Sequence, residues 1–161
     1  MLYSKTSARA YRPATCNEVL THARDYLSIK TLGSMIDSPS TARSVLSEYL
    51  KTGVAAQDRE LFAVAFLNSR HRLTAIDVLF YGSLNSATVH PREVARRALA
   101  YNAAAVVLIH NHPSGDSEPS QSDRVLTTKI TEALNLLEVR VLDHLVVGMN
   151  EVCSFAERGW M

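Results

Sequence analysis

Two histidines one residue apart, His110 and His112, followed by Asp123, are the side chains in this chain best suited to metal chemistry. They stand in Val107-Leu-Ile-His110-Asn-His112-Pro-Ser-Gly-Asp116-Ser-Glu-Pro-Ser120-Gln-Ser-Asp123. Residues two apart on an extended chain face the same way, so two imidazoles reach one ion from neighbouring pleats. Asp123 lies three residues before Leu126, at the head of the stripe Leu126, Ile130, Ala133, Leu134 and Leu137, which recurs at helical spacing. A carboxylate leading a buried face is costly unless it is paired or bound to a metal. Two imidazoles and one carboxylate suit a catalytic zinc, which takes three protein ligands and leaves a place for water. Each half also has a plainer reading. A His-x-His pair serves as hydrogen-bonded surface histidines, and Ser120-Gln-Ser-Asp123 as a simple helix start with Ser120 as N-cap. Both halves meeting at one strand-to-helix junction is what points to a metal.

A strand that ends beside a helix start must carry such a set. Residues 103–109 (AAAVVLI) are apolar on both faces, which predicts a central, covered strand, and the helix after it spans about 120–137. Thr15-Cys-Asn-Glu18 is a capping box opening a helix over 15–32, with Val19, Leu20, Ala23, Tyr26 and Leu27 on its apolar side and Gly33 after it. Val45, Leu46 and Tyr49 predict a helix over 41–52 ending at Gly53, and Pro91 opens another running to about Tyr101. Strands are expected over 60–67 and 73–80, joined through Asn68–Arg72, and over 139–147 and 151–155. The order predicts an α/β (α+β) fold with one mixed sheet flanked by helices. Asp37-Ser-Pro-Ser40 is the expected linker between an N-terminal arm and helix, 1–38, and a domain over 39–161.

Composition excludes several classes. The 161 residues are 47% apolar and 20% charged, enough for one globular domain with a small appendage. The net charge is +1: the first forty residues carry five basic against three acidic side chains, and the remainder is slightly acidic. A dedicated nucleic-acid-binding domain would be far more basic. Arg92, Arg96 and Arg97 read as a solvated helix face without aromatics for base stacking. Cys16 and Cys153 read as small buried hydrophobes, too distant for a thiolate metal site. No apolar run approaches the roughly 20 residues of a membrane span. The first fifteen residues lack a signal-like apolar stretch, so a cytoplasmic protein is expected. The six glycines form no phosphate-binding loop. Asp143-His144 reads as a strand-end turn rather than as support for a ligating imidazole, His90 as a helix start, His22 and His71 as surface residues, and Asp116 and Glu118 as loop-solvating acids.

His110-x-His112, seven intervening residues, then Ser120-x-x-Asp123 resembles the JAMM (JAB or MPN+) zinc metalloprotease motif. The wording HNHPSGDSEPSQSD, with VHPREVARRAL before it and VLDHLVVG after it, is similar to the RadC-like JAB family in particular, over roughly residues 40–161. The chain resembles the shorter, stand-alone relatives. The resemblance implies a JAB/MPN-like fold and one zinc ion per chain on His110, His112 and Asp123. It also implies hydrolysis of a peptide or isopeptide bond in a protein or peptide substrate. The motif requires an upstream glutamate, which spacing does not select because several acids are available. The family pattern selects Glu60 in Asp58-Arg-Glu60-Leu-Phe, at the mouth of an apolar strand. In the implied mechanism Glu60 is the general base, and the Ser120 hydroxyl donates to the oxyanion. Two alternatives stand beside this: a RadC-type interaction module of DNA repair or mobile elements, and a metal-dependent nuclease. The N-terminal helix is expected to pack on the domain or to pair two subunits as a homodimer.

Overall fold

Leu61–Leu67 and Ala105–Asn111 are buried at every position, which is what apolar runs without alternation require of strands covered on both faces. The computed structural model describes residues 3–5, 11–54, 59–82 and 89–161. Its elements are β1 (Tyr3–Lys5), β2 (Tyr11–Pro13), α1 (Cys16–Thr31), α2 (Pro39–Glu48), a π-helical segment (Tyr49–Val54), β3 (Leu61–Leu67), β4 (Leu73–Tyr81), α3 (Pro91–Ala100), β5 (Ala105–Asn111), α4 (Gln121–Asn135), β6 (Arg140–Val147) and β7 (Val152–Ser154). Asp58, like one of the five basic residues of the first forty, Arg9, lies outside the described residues. Five strands form the mixed sheet in the order β4-β3-β5-β6-β7. Only β5 and β6 are parallel, joined by the crossover helix α4, as a parallel pair requires. The single mixed sheet flanked by helices expected from the sequence is what forms.

Alternation along the strands divides the core in two. Phe62, Val64, Phe66, Val106 and Leu108 face α3 and α4, where Val94, Ala98, Ile130 and Leu134 meet them. Leu61, Ala63, Ala65, Val107, Ile109, Leu145 and Val147 face the other way, against Ile36, Leu46, Tyr49 and Leu50. The first layer is the one that holds the site.

Several expectations change in the N-terminal third. Residues 37–40 are no linker: Ser38 caps α2, with Thr41 closing the box, and Pro39 takes the first helical position, where its missing N–H costs nothing. Backbone bonds from Gly33 N–H to Leu73 O and from Ile36 N–H to His71 O stitch the preceding turn to the β3–β4 hairpin. The chain continues from α2 into the π-helical segment, extending past Gly53. The polar arm forms a short antiparallel ribbon, β1 with β2. On α1 the expected apolar side is partly buried at Val19, Leu20, Ala23 and Leu27, with two departures. Tyr26 is 67% exposed, while Arg24 turns inward and donates to the Tyr81 hydroxyl at 2.9 Å. Cys16 is exposed in the first turn of α1, and only Cys153 is a buried hydrophobe. Among the described residues no helix is long and apolar enough to cross a membrane.

Candidate metal centre

β5 carries His110 to the rim of the sheet, where it is 2% exposed; the expectation that it lies beyond the strand is off by two residues, because the strand continues to Asn111. His112 follows as the first loop residue, half-buried. Asp123 arrives from the opposite direction, on the first turn of α4. The Asp123 N–H donates to Ser120 Oγ at 3.2 Å, and Asp123 Oδ2 accepts from the Ser120 N–H at 2.7 Å and its hydroxyl at 2.6 Å. The capping box that starts the helix therefore also fixes the carboxylate. His110, His112 and Asp123 each bring a ligand atom into a group spanning no more than 4.8 Å. His110 Nε2 and His112 Nε2 are 3.0 Å apart, with Asp123 Oδ1 3.3 Å from the first and Oδ2 3.5 Å from the second.

The protons on these rings follow from their partners. The Thr127 hydroxyl donates to the Asp123 carbonyl at 2.6 Å, so toward His144 Nδ1, also at 2.6 Å, it can only accept. His144 then carries its proton on Nδ1 and accepts on Nε2, 2.8 Å from His110 Nδ1. His110 must donate from Nδ1, which leaves Nε2 as a bare lone pair. His112 Nδ1 lies 2.9 Å from the Asp116 carbonyl, an acceptor only, so its neutral ring also presents a bare Nε2. Two lone pairs and a carboxylate converging at these distances repel one another unless a cation joins them. This donor set fits a divalent metal ion.

Burial reinforces the assignment. It lowers the His110 pKa to about 4, against the raising influence of Asp123, and pushes His144 well below the ordinary histidine value. Both rings are neutral at pH 7. Burial also opposes ionisation of Asp123. Hydrogen bonding to His112 and the Ser120 bonds nevertheless hold its carboxyl far below the usual range. His112 moves the other way: a hydrogen bond to Asp123 raises its pKa against the effect of burial.

Glu60 precedes β3 directly and, two residues before Phe62, shares the side of the sheet that faces α4. Burial raises its carboxyl pKa, His112 lowers it and Asp123 raises it again, so it lies within electrostatic reach of both. Asn111 holds the chain on either side of it: Oδ1 accepts the Leu61 N–H at 2.8 Å, and Nδ2 donates to the Arg59 carbonyl at 3.2 Å. Phe62 forms the floor, stacked on His110 with centroids 6.3 Å apart and edge-on to His144 at 5.8 Å.

Sequence reasoning misplaced His144. It occupies the middle of β6, fully buried, paired in register with Leu108, so its ring reaches the site face beneath His110. The one available signal was a polar pair inside an apolar strand, Asp143-His144. The buried Asp143 accepts from the Ser154 hydroxyl at 2.6 Å and the Ala156 N–H at 3.0 Å, which ties β7 and the following turn to β6. Asn111, the x of His110-x-His112, is the second residue missed. The remaining candidates stay outside. His90 caps α3 only through its backbone, His22 is exposed, and His71 accepts from Arg140 at 2.6 Å. Exposed Glu118 pairs with Arg158 at 2.7 Å. Arg96 and Arg97 are held by Glu93 and Asp77 at 2.9 and 2.7 Å, so that helix face offers little free positive charge.

A family model described as the RadC-like JAB domain matches residues 36–160. A UPF0758 protein of Ectopseudomonas mendocina (strain ymp) is 50% identical over 149 residues, covering 92% of this chain and 65% of that protein. A UPF0758 protein of Stutzerimonas stutzeri (strain A1501) is 52% identical over 128 residues, covering 80% of this chain and 55% of that protein. The chain thus spans 65% and 55% of the length of these two curated relatives.

Proposed function

We propose a reaction from one premise: the chain belongs to the RadC-like JAB domain family. The reading is a metallohydrolase of amide bonds, peptide or isopeptide, that holds one zinc ion per chain on His110, His112 and Asp123. The observation that carries it is the convergence of two imidazole Nε2 atoms, 3.0 Å apart, on the Asp123 carboxylate. When bound, zinc supplies Lewis acidity and a water of near-neutral pKa.

The protein's own residues supply the rest. Glu60, kept proton-hungry by its partly buried position, takes the proton of the attacking water and returns it to the departing amine. The Ser120 hydroxyl now gives its proton to Asp123 Oδ2. As oxyanion donor it must turn that proton toward the substrate oxygen, whereas as it stands it aims the carboxylate. The His144–Thr127 pair holds His110 in the tautomer that a ligand needs. A protein or peptide is the substrate class that this reading requires. The nearly neutral surface and the ion-paired arginines of α3 favour it over a nuclease, which must gather phosphates.

The test is zinc stoichiometry by elemental analysis, followed by hydrolysis of peptide and isopeptide substrates by the wild type and Glu60→Gln. One zinc per chain in both proteins, with turnover lost only in Glu60→Gln, is the expected result. A folded protein that takes up no metal overturns the reading, and so does a Glu60→Gln variant with undiminished turnover.

A further inference from the structure

The β3–β5 ladder stops one residue short of where its register would carry it. Phe62 pairs with His110, and the next step would pair Leu61 with Asn111. There the Asn111 side chain replaces the backbone: its amide oxygen takes the Leu61 N–H, and its amide nitrogen reaches the Arg59 carbonyl. The peptide groups on both sides of Glu60 are thus held by one residue, itself 1% exposed, sitting between two metal ligands. The backbone of Glu60 is held as well, its carbonyl accepting the Gly82 N–H at 2.9 Å.

We propose that Asn111 is the positioning residue for Glu60, so that the His110-Asn111-His112 tripeptide places the general base as well as two ligands. The inference rests on the proposed role of Glu60 as base. The chemistry asks for a primary amide at this place. A donor and an acceptor must be presented together to a strand that is leaving the sheet, and both of the partners are backbone groups whose positions the fold already sets. Alanine offers neither group. Aspartate keeps the acceptor for Leu61 N–H but sets an oxygen against the Arg59 carbonyl. A carboxylate that moves by about 1 Å loses the alignment on which proton transfer depends, and losses near a hundredfold follow from errors of that size. Substrate binding and the metal ligands do not involve this amide, so the loss falls on kcat.

The experiment compares wild type, Asn111→Ala and Asn111→Asp in three measurements. Amide hydrogen exchange reads the hold on the Leu61 N–H in the metal-free protein, isothermal titration reads zinc affinity, and steady-state kinetics separate kcat from KM. Exchange protection at Leu61 is expected to fall by about 10–100-fold in Asn111→Ala and to persist in Asn111→Asp. Zinc affinity is expected to stay within about threefold of wild type in both variants, and kcat to fall by about 10–100-fold in Asn111→Ala and less in Asn111→Asp, with KM unchanged. Unchanged protection at Leu61, or unchanged kcat in a folded Asn111→Ala variant, overturns the proposal. A wild type that binds zinc yet cleaves no amide, while Leu61 protection still depends on Asn111, defeats the hydrolase reading and with it the general-base role of Glu60, leaving only the hold of Asn111 on the Glu60 backbone.

Discussion

Replacing Thr127 with valine removes one hydroxyl at nearly constant volume, and its consequence should appear two residues away along a hydrogen-bond circuit. The hydroxyl is 2.6 Å from His144 Nδ1, and His144 Nε2 is 2.8 Å from His110 Nδ1. Without the hydroxyl, the His144 Nδ1–H is left buried without that acceptor, at a cost of about 1–3 kcal/mol. His144 relieves the cost by moving its proton to Nε2, which then faces His110 Nδ1. His110 must in turn carry its own proton on Nε2, the atom needed for a metal. Either the donor stays unsatisfied or the ligand is lost. The expected fall in zinc affinity is about 10–100-fold, the range seen when partners of ligating histidines are removed. At about 1.4 kcal/mol per tenfold this agrees with the cost of the stranded donor. Chelator competition with zinc measures it directly. Thr127→Ser, which keeps the hydroxyl, should remain within about threefold of wild type. A folded Thr127→Val variant with wild-type zinc affinity would show that this circuit does not set the tautomer of His110, and the chemical case for the site would fail with it.

Three further outcomes follow from other parts of the fold. A Cβ at Gly148 would lie 2.5 Å from the Gly115 carbonyl and 2.8 Å from the Ser117 nitrogen. Since backbone must move, Gly148→Ala should cost about 1–3 kcal/mol in urea unfolding. Ile130 is fully buried on the α4 face of the sheet, so Ile130→Ala should cost about 2–5 kcal/mol, read from the same titration. Glu18 is held at a pKa of about 2 by the Thr15 N–H and by Arg12, below the ordinary 4.5. Its contribution is therefore present above pH 4.5 and lost as the pH falls through 2. The melting temperature of wild type should exceed that of Glu18→Gln at pH 6, with the gap closing toward pH 2; a constant gap would remove Glu18 from the account.

The elements that surround the site were legible because their signals are local. A capping box, an apolar run without alternation and a proline at a helix start each depend on a few adjacent residues, and α1, β3, α3, β5 and α4 lie close to where those signals put them. His110, His112 and Asp123 share that advantage, since one strand and one helix place all three. What stayed hidden depends on register. His144 reaches His110 because β6 runs parallel to β5 and a bulge between Val106 and Val107 shifts the pairing, which no short-range pattern encodes. Asn111 was hidden for the same reason, because its partners lie 50 and 52 residues away on the neighbouring chain segment. The capping box at Ser38 shows the opposite error. Its polar residues and proline suit a linker as well as a helix start, and only the buried Ile36 and the hydrogen bonds before it decide.

The split between local and distant parts of the site also bears on the order in which it assembles. His110, His112 and Asp123 belong to a single stretch of fourteen residues, whose ends meet at a small entropic cost. Glu60 comes only after β3 has docked on β5, a pairing that closes a loop of about fifty residues and belongs to the slower, non-local part of folding. On the proposed reading a newly made chain can therefore gather its three ligand residues before it gains a base. In the proposed chemistry such an intermediate has its ligands but no base, so the long-range pairing of the sheet acts as a safety catch that withholds hydrolysis until the fold is complete.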